Sequence, residues 1–465
     1  MSEAMLWKNV KKVTALFCAA AIAASAAGCS TKKAGGSDVT EVKIWSQANG
    51  DKILTNELID EWNKTTGKEK GIKIVYEVLT GNADQQIDVA LQSGKAADII
   101  TGSNLEKRAG MGYLQAIDEL EGGNEFLEKY KGEQALEQFK YNGHYYTVLS
   151  GTVICGLLYN KDMFKAAGIV DENGEAKPPK TYAEMREYAK KLTNTKKRQY
   201  GFIFPGKSTG TYWSFEVQWP MMASVGHDGF DINTGKYDYS GMAPILQTIM
   251  DMKNDGSCYP GIESIDADPA RARFAEGNVG MKFGMHWDVS VLTEQFPAKC
   301  DWGVAPVPVV DENHRYKQKK EVWGGAAMPK ISKDKDADKI FTVYKWYMGE
   351  EFKRKLYENG IEIPWNEDII KGAKVKKSVA PQWAEFAKLS AISATPPIAC
   401  KTDTTEATPI SELFLKDVWN GGDKNIDKLL KSWTDTLNKG METYKERNPD
   451  YDYSQFDNSH FNPSM

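Results

Sequence analysis

Apolar positions in this chain recur at a spacing of two in some segments and of three to four in others, and each change of period marks a change of element. Val42 and Ile44 alternate with Glu41 and Lys43 as far as Trp45, and the polar run Ser46-Gln47-Ala48-Asn49-Gly50 follows: a strand entering a loop. Leu54, Leu58 and Trp62 then recur at a spacing of four, one face of a helix. Residues 72–78 alternate again, Ile87 and Leu91 mark a second helix, and 97–100 is a short apolar strand. Strand, helix, strand, helix, strand predicts a parallel sheet with helical crossovers.

The same grammar resumes after an extended segment at 145–158, where a second sheet is expected to begin. Thr181 and Glu184, just after Pro178-Pro179, form a capping box that satisfies free backbone donors at a helix start, with Met185, Tyr188 and Leu192 as the inner stripe. Ser332 is expected to open a long helix with Ile340, Phe341, Tyr344, Tyr347 and Met348 facing inward, ending near Gly360. Another helical region is expected from about 411 to 444 and a loose tail over 456–465.

The N-terminus is of a different kind. Lys8, Lys11 and Lys12 precede an apolar run over 13–27 that is too short to span a bilayer, so 1–28 reads as a signal peptide. Ser25-Ala26-Ala27-Gly28-Cys29 resembles the lipobox of bacterial lipoproteins, in which the thiol receives a diacylglycerol and cleavage makes the cysteine the first residue. Lipoboxes more often have Leu where this chain has Ala26, and the alternative is an ordinary secretory signal with a coincidental cysteine. The resemblance implies a cell-membrane protein on the extracytoplasmic face, held by a lipid on Cys29 through a flexible tether over 29–38.

Composition narrows the remaining choices. The 465 residues carry 59 Lys plus Arg against 64 Asp plus Glu, with no basic stripe, which excludes a nucleic-acid partner. Once Cys18 is removed and Cys29 lipidated, Cys155, Cys258, Cys300 and Cys400 remain. They are dispersed, without C-x-x-C or a nearby His, so no metal site, redox dithiol or cofactor is indicated; they are expected as buried thiols, with room for one unassigned disulfide. There is no G-x-S-x-G, H-E-x-x-H or P-loop, and no acidic pair in a recognisable catalytic setting, so the chain is expected not to be an enzyme.

Several segments carry a family resemblance together. Gly156-Leu157-Leu158-Tyr159-Asn160-Lys161-Asp162-Met163-Phe164 and Pro178-Pro179-Lys180-Thr181-Tyr182 come first, then Arg273-Phe274-Ala275-Glu276-Gly277-Asn278-Val279-Gly280-Met281 and Gly284-Met285-His286-Trp287. Trp302-Gly303-Val304-Ala305-Pro306-Val307-Pro308 and Trp323-Gly324-Gly325-Ala326-Ala327-Met328 complete the set. Each is weak alone, but in this order they resemble the family 1 extracellular solute-binding proteins of ABC importers, and within them the carbohydrate-binding, maltodextrin-binding-protein-like lipoproteins. The resemblance implies an α/β, two-lobed periplasmic-binding-protein-like fold with hinge strands and a ligand cleft between the lobes. Crossings are expected near 151–155, 323–327 and 372–379, with lobe 1 built from 38–150 plus 327–374 and lobe 2 from 151–326 plus 375–455. The implied partners are a carbohydrate, ABC permease subunits and, through Cys29, the membrane; the protein is expected to be a monomer. A polyamine or peptide binder, a lipoprotein adhesin and a lipid-anchored glycan-active enzyme are the rival readings.

Sugar sites combine aromatic faces, which stack on C–H patches, with carboxylates, amides and basic groups that hydrogen-bond hydroxyls in pairs. Trp45, Asn49, Asp51 and Lys52 are candidates because they surround the loop after the first strand of a parallel sheet, where ligand loops gather. Maltodextrin binders have a similar Asn-Gly-Asp-Lys there, although this chain has two extra residues before it. Asp98 and the following loop with Ser103 and Asn104 are also expected at the cleft, but that loop lacks the aromatic and charged groups of maltodextrin binders. By resemblance, Trp213, Glu216, His286, Trp287 and Phe414 come from the second lobe, and Trp323 and Trp365 from the crossings.

Overall fold

The computed structural model describes residues 39–47, 51–102, 104–131, 133–208, 210–403, 408–421, 425–449 and 461–465; the expected signal peptide, Cys29, the expected tether, Asn49 and Ser103 lie outside the described residues. The first alternating run forms the strand Thr40–Ser46, with Val42 and Ile44 fully buried. It is the centre of a three-stranded parallel sheet, flanked by Ile72–Val78 and Ile99–Ile100. The crossovers are the helices Lys52–Trp62 and Ala83–Gln92, which turn Ile59, Trp62, Ile87 and Leu91 inward.

Against this sheet packs the region expected to be one helix from Ser332, and the structure corrects that reading. The helix Ala337–Tyr347 starts later, capped by Asp336, whose carboxylate accepts from the Lys339 N–H at 3.1 Å. Gly349 then separates it from Glu350–Glu358. A Cβ at Gly349 would stand 2.7 Å from the Lys345 carbonyl oxygen, so the chain turns where only glycine fits. Ile340, Phe341, Tyr344 and Tyr347 still face inward, in one core with Val42, Ile44 and Trp62.

A second, larger core surrounds a seven-stranded sheet organised by the strand Leu149–Asn160, all of whose residues are buried. Burial on both faces explains its nearly unbroken apolar sequence. The front of this long strand pairs antiparallel with Gln318–Gly324 and Ile363–Pro364, its rear with Val279–Met285 and Trp302–Ala305. Leu149 belongs to the first core and Leu157 and Leu158 to the second, so one strand runs through both bodies. The segment 372–379 is a loop.

The capping box forms, with one shift: Thr181 Oγ1 accepts from the Glu184 N–H at 3.2 Å, while the Glu184 carboxylate accepts from Lys180 N, one residue before the cap, at 2.7 Å. Cys155, Cys258, Cys300 and Cys400 are free thiols. Of the expected tail, 456–460 lie outside the described residues, whereas Ser464 bridges to Tyr316 and the Lys317 N–H donates to the Pro463 carbonyl at 2.8 Å.

The second core encloses charge. Asp288, 1% exposed, accepts from Arg271 Nε at 2.6 Å and from Met285 N at 3.2 Å, and Lys282 Nζ sits between Asp288 at 3.5 Å and Glu216 at 3.7 Å. Among the described residues Oε2 of Glu216 has no hydrogen-bond partner. Burial pushes the Glu216 carboxyl up to about 7, and burial also pushes the nearby His286 imidazole down to about 4. A raised carboxyl favours the native state most at acid pH, and that contribution is lost as the pH rises through about 7. The depressed imidazole acts oppositely, its contribution being lost as the pH falls through about 4. Glu216→Gln should therefore shrink the excess of stability at about pH 5 over about pH 8 by a few kcal/mol. Denaturant unfolding at both pH values measures this, and an unchanged difference would show that Glu216 is ionised throughout.

Candidate functional site

The carboxyl ends of parallel strands leave backbone groups and side chains around a crevice, and here they deliver Ser46, Gln47, Thr101 and Gly102 to a cavity of about 560 Å³. Asp51 enters from the start of the first crossover helix. Tyr347, Met348, Phe352 and Lys353 come from the helix pair around Gly349, Ser150 from the long strand, and Glu321 and Trp323 from the strand Gln318–Gly324. The cavity therefore lies where the first sheet meets the strands shared by the two bodies.

Its polar side is partly self-satisfied. Lys353, 5% exposed, places Nζ 3.1 Å from Glu362 Oε1 and donates to Ser150 Oγ, which in turn donates to Glu362 Oε2 at 3.1 Å. Asp51 is different: it is 8% exposed and, among the described residues, its Oδ1 has no hydrogen-bond partner, as is true of the buried Thr55 and Tyr76 hydroxyls. Burial raises the Asp51 carboxyl above its ordinary range, Glu362 adds to the rise, and the Thr55 side chain and Lys353 oppose it. Gln47 is occupied, its N–H on Thr101 Oγ1 at 2.9 Å and its amide on Asp84 at 3.0 Å.

The aromatic side is the Trp323 ring, 47% exposed, which lies 6.2 Å from the half-buried Trp287 ring at an interplanar angle of 30°. Phe215 at 5.6 Å and His286 at 5.1 Å pack edgewise on Trp287 and fix its orientation. Glu321 stands two residues before Trp323 and lines the same cavity.

The structure brings only some of the sequence candidates together. Asp51 and Trp323 line the cavity, and Trp287 adjoins it through Trp323. Trp45 instead donates to Glu77 at 3.0 Å, Lys52 is an exposed first helical residue, and Asn104 is exposed with φ +62°. Asp98 ties the sheet, accepting from Lys43 N at 2.8 Å and from Lys335 Nζ. Trp213, Glu216 and Phe414 are in the second core, where the Trp213 and Phe414 rings lie 5.5 Å apart, and His286 is 6% exposed beneath Trp287. Trp365 packs 5.1 Å from Tyr130 in the first core. The sequence reading missed Ser150, Glu321, Lys353 and Glu362. The period-two alternation 319, 321, 323 could have placed Glu321 beside Trp323; the Lys353 and Glu362 pair has no local signal.

Over 325 residues the chain is 24% identical to the maltotriose-binding protein of Pyrococcus abyssi, a stretch covering 66% of this chain and 62% of that relative's length. An ABC substrate-binding protein from Listeria monocytogenes in complex with cycloalternan superposes with a TM-score of 0.59 at 20% identity, over 87% of this chain and 100% of its own. The cyclic alpha-maltosyl-1,6-maltose binding protein of Arthrobacter globiformis gives 0.65 at 16% identity, over 87% and 100%. At such identities the likeness shows the fold, the two-lobed α/β architecture with its cleft between lobes. Residues 57–382, which include most of both cores and the greater part of the cavity wall, match the family described as bacterial extracellular solute-binding protein, and the chain belongs to that family.

Proposed function

We propose that the protein captures a carbohydrate, in the form of an oligosaccharide, outside the cell and delivers it to the permease of an ABC importer. The observation that carries this reading is the exposed Trp323 face, backed by Trp287, across a cavity of about 560 Å³ from the carboxylates and ammonium of Asp51, Glu362 and Lys353. A sugar offers both C–H patches for rings and paired hydroxyls for carboxylates, and such a site meets both. The relatives named for maltotriose, cycloalternan and cyclic maltosyl-maltose support the same class. Asp51, Trp323 and Trp287 are the primary binding residues in this reading.

The lobes in this reading are 38–150 with 327–374, and 151–326 with 375–455, a division supported by the two separate cores. Closure would bend the long strand and the strand Gln318–Gly324, and a ligand held better by the closed state would drive it. The protein acts as a monomeric binding protein without catalysis, in keeping with its family. The sequence of 25–29 supports a lipid on Cys29 after removal of 1–28, holding the receptor at the outer face of the cell membrane beside its permease. No helix among the described residues is long and apolar enough to cross a membrane.

Calorimetry against mono- and oligosaccharides should give saturable binding, and binding of amines, peptides or metals alone would refute the carbohydrate reading. Trp323→Ala should weaken oligosaccharide binding by about 1 to 3 kcal/mol, roughly 5- to 150-fold; an unchanged affinity removes that ring from the site. Cys29→Ala should shift the protein from the membrane fraction to the medium or to an unprocessed precursor. Retention as a mature membrane-bound form would argue against the lipid anchor.

A further inference from the structure

The charged side chains lining the cavity are Asp51, Glu321, Lys353 and Glu362. The ammonium of Lys353 is consumed by Glu362 and Ser150. Among the described residues neither Asp51 nor Glu321 has an ammonium or guanidinium within ion-pairing distance; the lysines that bear on them, Lys353 and Lys319, are bound to other carboxylates. Asp51 is nine-tenths buried with one carboxylate oxygen unpartnered, although its surroundings have already stripped it of water. Lys319, on the same side of the strand as Glu321, is bound to Asp228 and lies 4.8 Å over the Trp219 ring. Lys52, next to Asp51 in sequence, is exposed and does not line the cavity. The neighbouring residues outside the described set, Ala48, Asn49, Gly50 and Ser103, carry no charge, so they add no cation.

We propose that Asp51 and Glu321 are specificity-determining residues that make the cleft select glycans by charge, favouring an oligosaccharide with a free ammonium group over its neutral counterpart and rejecting one with a carboxylate. This rests on the carbohydrate reading above. An ammonium in the cleft shares a cavity wall with two carboxylates and the face of Trp323, which attracts cations through its ring quadrupole. A carboxylate meets the same two groups, and its nearest positive charge is already bound. Burial raises both carboxyl groups above their ordinary range, and the nearby Lys353 and Lys319, each bound to another carboxylate, oppose the rise without overcoming it.

The test is calorimetry on the full chain with maltotriose, cellotriose and raffinose, and with a C6-amino and a C6-carboxylate derivative of each. For whichever trisaccharide binds, the amino form should bind about tenfold more tightly and the carboxylate form about tenfold more weakly. Added salt should erode the advantage of the amino form. Glu321→Gln, at a half-exposed position that leaves the core intact, should bring the ratio of amino to neutral affinity close to one; Asp51→Asn should do the same if it folds by circular dichroism. Equal affinities for the three forms, a preference for the carboxylate, or a ratio unmoved by Glu321→Gln would overturn charge selection and leave the carbohydrate reading standing. Failure of every neutral and derivatised sugar to bind would defeat the carbohydrate reading and this inference with it.

Discussion

Burial of the strand Leu149–Asn160 along its whole length is the constraint on which the rest depends. Its front lies in the sheet with Gln318–Gly324 and Ile363–Pro364, and its rear pairs with Val279–Met285 and Trp302–Ala305. Buried side chains on both faces and antiparallel partners along its length oppose slipping, because a shift of one residue would turn every side chain to the opposite face. The cavity inherits its geometry from that fixed register. Ser150 sits where the strand leaves the first core, and Gly151 follows it: a Cβ there would stand 2.4 Å from Cγ of Glu362. The glycine thus lets Glu362 reach Ser150 and, with it, Lys353.

Buried charge is treated differently in the two bodies. In the second core Lys282, Arg271, Asp288 and Glu216 form a network in which, among the described residues, only Oε2 of Glu216 is left unpartnered, and none of the four lines the cavity at the first sheet. Removing one member would strand an opposite charge, so the network favours one arrangement of that core whatever it contributes to net stability. At the cavity, Asp51 is left with an unpartnered oxygen beside empty space. An unmade hydrogen bond in a closed core is a cost, whereas at a cleft it is a place where a ligand can repay desolvation already incurred.

The first sheet was legible in the sequence because its elements are local: 41–45, 54–62, 72–78 and 97–100 each announce their period within one short window, and the parallel order follows from the crossovers. The helix from Ser332 was less legible, since an inward stripe continues across Gly349 while the backbone turns. At the site, Asp51 and Trp323 could be reached from strand ends and family motifs. Lys353 and Glu362 could not, because their contact is made by tertiary folding around Gly151 and neither residue differs by type or spacing from the many surface charges around it. Trp213 and Phe414 show the reverse: residues of a suitable type, at suitable positions in relatives, that pack on each other at 5.5 Å and fill the core instead.

The contact between Trp323 and Trp287 bears on how the cleft can move. Trp323 belongs to a strand paired with the front of the long strand, whereas Trp287 follows the strand Val279–Met285, which pairs with its rear. Any bend of the long strand between these two pairings must change the distance between the rings, now 6.2 Å. Trp287 is held edgewise by Phe215 and His286, so the more exposed Trp323 is the ring with freedom to adjust. A ligand stacked on Trp323 would therefore be sensitive to the angle between the lobes through a single aromatic contact. That coupling needs no longer chain of residues, because the strand that bends and the ring that senses the bend are adjacent in one sheet.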